Sequence, residues 1–331
     1  YKRQLFEWLT GSAADPSLSH TLQSAMATVR DDRVPQLCEI YQPKKITEAA
    51  LEVVDSPGLS RKHEGNASRL AAIREAGCLV QVVGAFDGSD YQADLEGFEE
   101  DLLLADLEIV TGRVERLRDS IRKPRPNRDE QIAELAAIEP LLETLEAGTP
   151  LTDVDLTEEQ LKATRSFQLL TLKKRLALIN VADDEQDLDQ YTKLSTERRP
   201  VIAVPIGLEL ELSRMEPAER DDFRAEMGLA SFDREGLIRS IMGASGQMLF
   251  FTAGEKEVRT WMIPQGARAV EAADSIHSDL ARGFIRAEAM TCADLIRLGS
   301  EREIKAAGLM RQEPKDYIVQ DGDILNIRFS V

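Results

Sequence analysis

Hydrophobic residues follow two rhythms along this chain. Short continuous apolar runs, at Leu51 to Val54, Leu79 to Val83, residues 174–181 (KRLALINV) and Val201 to Val204, read as strands buried on both faces. Leu5, Phe6, Trp8 and Leu9 suit a buried helix, and Ala67 to Ala76 suits another. Such alternation predicts an α/β layer structure built on a parallel sheet.

From Asp94 the rhythm changes. Leu103, Leu107, Val110, Val114, Leu117 and Ile121 recur at alternating spacings of four and three, which is a helical seam with charges between. Lys123-Pro124-Arg125-Pro126-Asn127 interrupts it, and Ile132, Leu135, Ile138, Leu142 and Leu145 form a second seam. Two seams joined by a short proline-rich link predict an antiparallel helical hairpin. Pro140 is expected to kink the second helix, and Gly148 to end it. The hairpin reads either as a structural arm with solvated charges or as an arm that contacts a large partner.

Beyond Met248, strand candidates at 248–252, 257–263, 283–290 and 324–329 surround a helix near Cys292 to Leu298. Ala253-Gly254, Arg282-Gly283 and Asp321-Gly322-Asp323 supply the turns between them. The expected organisation is therefore a sheet domain over 1–95 and 171–247, a helical insertion over 96–170, and a small α+β domain over 248–331.

Charge narrows the classes of partner. The chain of 331 residues has 41 Lys+Arg against 59 Asp+Glu, a net charge of −18, which argues against a mainly electrostatic grip on nucleic acid. Residues 249–331 carry only −2 of this, so RNA contact would more plausibly use a patch there; DNA is not expected. Cys38, Cys78 and Cys292 show neither disulfide nor metal spacing, which suits a reducing cytoplasm. No apolar run approaches the length of a membrane span. The chain opens at Tyr1-Lys2-Arg3 without Met and reads as a fragment or a trimmed chain.

Candidate chemistry sits at strand ends. The run Leu51 to Val54 leads into Asp55-Ser56-Pro57-Gly58. Phosphate-loop nucleotidases place an aspartate there to hold Mg²⁺ through water, and the glycine amide there meets the γ-phosphate. The same four residues also make an ordinary turn. After the strand LALIN comes Asn180-Val181-Ala182-Asp183, at the place of the N-x-x-D of guanine-binding proteins. There the aspartate reads the base and the asparagine braces the loop.

With these strands in order, the chain resembles the YchF/Obg-like ATPases of the translation-factor GTPase class, as a divergent member. Residues 2–10 (KRQLFEWLT) look like the end of that family's phosphate loop and its helix, and residues 40–59 look like its V-D-I-A-G-L stretch. Residues 101–108 (DLLLADLE) resemble its L-I-L-A-D-L-E helix. Residues 251–262, 274–290 and 315–329 are close to its C-terminal TGS signature.

The resemblance implies a P-loop NTPase sheet domain with an inserted antiparallel helical hairpin, plus a β-grasp TGS domain. It implies binding and hydrolysis of GTP or ATP with Mg²⁺, and nucleotide-gated association with the ribosome through its RNA or protein, by a monomer. Lys2 would hold phosphates, Thr21 and Asp55 would support Mg²⁺, Gly58 would sense the γ-phosphate, and Asn180 with Asp183 would read the base. Asp183 stands where the family usually has glutamate, which favours guanine. Leu59 matches the family's hydrophobic residue after D-x-x-G, so any hydrolysis needs another group, and His63 is the nearest titratable candidate. Arg3 and Gln4 stand where the family has a Mg²⁺-binding hydroxyl. A second reading therefore stays open: a non-hydrolysing member that serves as a binding scaffold through its TGS domain and helical arm.

Overall fold

The structure, a computed structural model, describes residues 1–15, 17, 21–56, 66–86, 88–124, 126–229 and 232–330. In chain order it begins with α1 (Lys2–Thr10), β1 (Gln23–Thr28), α2 (Arg33–Tyr41), β2 (Ile46–Thr47) and β3 (Ala50–Asp55). Next come α3 (Asn66–Glu75), β4 (Cys78–Gly84), α4 (Tyr91–Ser120), α5 (Arg128–Glu146) and α6 (Glu158–Thr164). β5 (Lys174–Asn180), α7 (Asp189–Thr192), β6 (Val201–Val204), α8 (Ile206–Ser213), α9 (Pro217–Met227) and α10 (Arg234–Ala244) follow. The chain finishes with β7 (Gln247–Ala253), β8 (Val258–Pro264), α11 (Ala269–Ile276), α12 (Ser278–Arg282), β9 (Phe284–Thr291), α13 (Cys292–Leu298), α14 (Glu301–Ala306), β10 (Arg311–Glu313) and β11 (Asp323–Phe329).

Among the described residues the strands form three sheets: β1 with β3, β4-β5-β6, and β10-β9-β11-β7-β8-β2. The chain folds as two units. The first comprises Tyr1–Trp8, Ser12–Gln23 and Val54–Phe232, and the second Leu9–Gly11, Ser24–Val53 and Asp233–Val331.

In the first unit β4, β5 and β6 are parallel, with Gly84, Asn180 and Val204 aligned at their carboxyl ends. β5 is the middle strand, and from Arg175 to Asn180 every residue is buried. That is why Leu176 to Ile179 is continuously apolar rather than alternating. Val83, Ala177, Ile179 and Ala203 pack with Leu95 of α4 and Tyr191 of α7. Leu79 packs with Leu102 and Ala105 of α4 and with Leu170.

α4 and α5 form the hairpin. Asp90 starts α4 by accepting from the Ala93 N–H at 3.0 Å. The two seams meet in a cluster built on Val110, Val114 and Leu117 against Leu135, Ile138, Leu142 and Leu145. Ile132, expected in the second seam, is 41% exposed, because it lies in the first turns of α5 near the hairpin tip. Leu141, one residue past Pro140, is buried instead. α5 runs unbroken through Pro140 to Glu146 and is stopped by Gly148, whose φ of +78° permits the left-handed turn. Gly148 N–H donates to Leu145 and Thr149 N–H to Thr144, the paired bonds of a Schellman stop.

The second unit is organised on the mixed sheet. β7 and β8 form an antiparallel hairpin, β11 lies parallel beside β7, and β9 and β10 continue antiparallel. Parallel central strands flanked by two antiparallel pairs make a β-grasp arrangement. α11 lays Ala269 and Ala272 against Ala287 and Ala289 of β9, with Phe250 stacked on Trp261 at 6.2 Å beside them. Alanines on both surfaces allow helix and sheet to approach closely.

Residues 24–53 group with this sheet. β2 adds a sixth strand through Ile46 opposite Val258. Thr47 Oγ1 donates to Glu257 at 2.6 Å, and the Ala49 N–H donates to Thr260 Oγ1 at 2.7 Å. Arg33 is clamped by Asp31 at 2.7 Å and Asp321 at 2.8 Å, with its guanidinium over the Phe251 ring.

Candidate nucleotide site

The first unit gathers chemistry-bearing residues where its parallel strands end. This is the edge at which open α/β sheets bind ligands. α1 begins there with Lys2 and Arg3 and carries no acid in its first turn. Cations at a helix start are electrostatically unfavourable on their own, but together with the free N–H groups they suit an anion.

Lys2 Nζ donates to the Ser56 carbonyl and stands 3.8 Å from Asp55 Oδ1. Arg3 Nε is 3.9 Å from Asp55 Oδ2. The Asp55 side chain is only 8% exposed, and its Oδ1 is buried without a hydrogen-bond donor. Burial lowers the Lys2 pKa, against the opposing pull of the Asp55 charge. A buried carboxylate oxygen without a donor, beside an amine that reaches the next residue's carbonyl, is suited to a hydrated cation and a phosphate.

The pair Asn180 and Asp183, the candidates for reading a base, sits at and just after the end of β5. Asn180 is buried, and its Oδ1 accepts from the Ile206 N–H at 2.8 Å, bracing the start of α8 against the strand. Its carbonyl accepts from the Ala85 N–H at 2.8 Å, which fixes the β4 end as well. Asp183 is exposed on the turn that follows. Gly207, in the first turn of α8, would place a β-carbon 3.8 Å from Asp183 Oδ1 and 3.9 Å from Gln4 Nε2. Its missing side chain keeps the space beside Asp183 open.

Lys2 and Asp55 are thus together, and Gln4 of α1 and Asp183 both lie near Gly207. Sequence reasoning singled out neither Gly207 nor a positive contribution from Gln4. A glycine inside an apolar helix start was the available signal for Gly207. Thr21 lies on an exposed bend just before β1. Gly58, Leu59 and His63 lie outside the described residues. No group of three His, Cys, Asp or Glu able to hold a metal occurs among the described residues.

A ribosome-binding ATPase YchF from Bacillus subtilis (strain 168) is 33% identical over 356 residues, spanning all of this chain and 96% of that protein. The chain belongs to the YchF family. The Escherichia coli O157:H7 ribosome-binding ATPase YchF is also 33% identical, over 353 residues, again covering the whole chain and 96% of that protein. The YchF relative in rice (Oryza sativa subsp. japonica), Obg-like ATPase 1, is 34% identical across 93% of this chain and 82% of its own length. The solved Schizosaccharomyces pombe YchF GTPase superposes with a TM-score of 0.84 at 26% identity, covering 99% of this chain and 94% of that one. Residues 248–330 match the YchF-GTPase C-terminal family, described as "Protein of unknown function (DUF933)". The resemblance read from the motifs is therefore correct, and with it the α/β fold carrying a C-terminal YchF domain.

Proposed function

We propose that this chain binds and hydrolyses a nucleoside triphosphate and associates with the ribosome according to its nucleotide state. The bacterial relatives are named as ribosome-binding ATPases and the fission-yeast structure as a GTPase, which supports both halves of the reading. The observation that carries it is the buried, donorless oxygen of Asp55 beside Lys2 at the start of α1.

Lys2 holds the phosphates, and Asp55, through water, with the hydroxyl of Thr21, supports Mg²⁺. When bound, that ion offsets the charge of the phosphates. Arg3 and Gln4 supply no hydroxyl ligand, so Thr21 and water carry more of the coordination than in relatives with a Ser/Thr there. Gly58 senses the γ-phosphate, Asn180 braces the base loop, and Asp183 accepts from the base, with guanine preferred. His63, the histidine nearest Gly58 in the sequence, serves hydrolysis. The sheet domain works as the switch, and the hairpin and β-grasp domain meet a ribosomal partner, in a cytoplasmic monomer. Ordering of the switch segments by the γ-phosphate is the gating step.

Isothermal titration of GTP and ATP with Mg²⁺ into the full chain and an Asp183→Ala variant tests this. Micromolar binding, about −8 kcal/mol, is expected for the parent chain, weakened at least about tenfold in the variant. Equal affinity for GTP and ATP would remove the guanine preference. No binding of either would leave a scaffold that acts through its arm and C-terminal domain.

A further inference from the structure

The hairpin tip concentrates positive charge on an otherwise acidic chain. Residues 91–112 hold seven acidic residues and no basic one, and residues 129–146 hold six acidic and no basic. Between them, residues 113–128 hold six arginines and one lysine against Glu115 and Asp119, a net of +5 on a chain of −18.

Stability accounts for part of this cluster. Arg113 makes a two-pronged pair with Glu134 at 2.7 Å, and Arg118 pairs with Glu139 at 2.8 Å, both across the hairpin. Arg128 Nε donates to the Ile121 carbonyl at 2.9 Å, tying the helix ends together. Cations near the end of α4 also suit its dipole.

The rest is not accounted for in this way. Arg116, Arg122 and Lys123 are exposed, and Arg128 is exposed too, with only its Nε committed to the Ile121 carbonyl. Arg122 meets Asp119 at 3.3 Å with both side chains about three-quarters exposed, a contact worth about 0–1 kcal/mol. Arg128 opens α5, where a positive charge opposes the helix dipole.

We propose that this tip is a contact site for the phosphate backbone of RNA. Guanidinium groups match phosphate oxygens in two-pronged fashion, and six of the seven cations are arginines. Pro124 and Pro126 restrict the connecting segment, which lowers the entropy lost on docking. The 19 residues of α5 set the tip about 28 Å from the helix's other end. A Debye length of about 8 Å then screens the tip from the acids at that far end, so that Asp129 and Glu130 in the first turn of α5 are the α5 acids beside it and reduce its net charge without cancelling it. A membrane-docking tip would carry apolar or aromatic anchors, and residues 122–130 have none besides the prolines. The lack of aromatics also assigns the contact to the backbone rather than to the bases. This deepens the ribosome reading above, on which it rests for the identity of the RNA.

The test uses the full chain with Arg116, Arg122, Lys123 and Arg128 all changed to Gln, and a milder Arg122→Gln/Lys123→Gln chain. Binding of a fluorescent oligouridylate of about 20 nucleotides is followed by anisotropy across salt, with nucleotide titration as the check on folding. Four lost contacts should flatten the salt slope by about 3 and weaken binding at least about tenfold at low salt, with the double variant intermediate. Unchanged RNA affinity and slope in both variants would overturn the proposal, as would equal displacement of the RNA by polyglutamate at matched charge. Co-sedimentation separates the two readings. If parent and variant pellet equally with ribosomes, the tip assignment fails and the ribosome reading stands. RNA binding that depends on the tip, in a parent chain that does not pellet, has the opposite meaning.

Discussion

Arg74 donates from Nη1 to Asp106 Oδ1 at 3.0 Å, so the end of α3 is tied to a carboxylate with no solvent exposure on α4. The same carboxylate accepts from the Leu170 N–H at 2.9 Å, the Thr171 N–H at 2.7 Å and the Thr171 hydroxyl at 2.9 Å. A charge removed from water survives only with this kind of complete partnering. α3 follows the Asp55-Ser56-Pro57-Gly58 sequence in the chain and α4 begins the arm, so the pair ties the arm to the helix after that sequence.

Removing either partner leaves the other buried and unpaired. Asp106→Ala and Arg74→Ala should each cost about 3–5 kcal/mol, and the double change should cost less than the sum. Trp8 reports on this unit, so urea denaturation followed by its fluorescence in a Trp261→Phe chain reads the effect. Losses below about 1 kcal/mol would show that the pair is not structural.

Asn180 braces the start of α8, beside the proposed base loop, through one buried bond from the Ile206 N–H. Asn180→Ala strands that N–H, at a cost of about 1–3 kcal/mol. Nucleotide affinity should fall along with stability, whereas Asp183→Ala, at an exposed position, should lower affinity at unchanged stability. Thermal unfolding beside nucleotide titration separates them, and a stability loss in Asp183→Ala would contradict the assignment.

Acid should loosen the second unit through Asp31. Burial pushes its carboxyl pKa up, but the hydrogen bonds and charge of Arg33 outweigh this and hold it below 3.8. As pH falls, the unfolded chain takes up the proton first. The contribution is therefore complete above pH 3.8 and lost as pH drops through the depressed folded value. Asp31→Asn should cost about 1.5–3 kcal/mol near neutrality and flatten the acid limb. Trp261 fluorescence in a Trp8→Phe chain measures both, and an unchanged acid limb would rule Asp31 out.

The three thiols should react in a set order. Burial pushes Cys292 up to about 12 and Cys78 up to about 11, and raises Cys38 as well, although Cys38 is only half-buried. Because the thiolate is the reactive form, a disulfide reagent at about pH 8 should label Cys38 first and Cys292 only at the rate of unfolding. Rapid labelling of Cys292 in the folded chain would contradict its burial.

Much of this architecture was legible because it is local. The expected strands at 174–181 and 201–204 appear as β5 and β6, and the four C-terminal candidates appear as β7, β8, β9 and β11. Their apolar runs and turn residues act within a few positions of one another. The two seams likewise announced the hairpin, since a helix brings every third or fourth residue onto one face. The candidate site was proposed from residue types at strand ends, and the structure places Asp55 and Asn180 at the ends of β3 and β5.

What the chain could not announce depends on partners far away in sequence. β2 is two residues long and has no periodicity, and it is a strand only because Val258, more than two hundred positions on, supplies an edge. Asp106 reads locally as a charge on an amphipathic helix, and only the arrival of Arg74, Leu170 and Thr171 makes it a buried hub. Gly207 neighbours the candidate site because the fold brings Gln4 and Asp183 near it. Family, elements and their order thus follow from the order of residues, because periodicity and turn chemistry are properties of neighbours. Which segments share a sheet and which charges are buried emerge only on folding, because burial and pairing belong to surfaces made by distant parts of the chain.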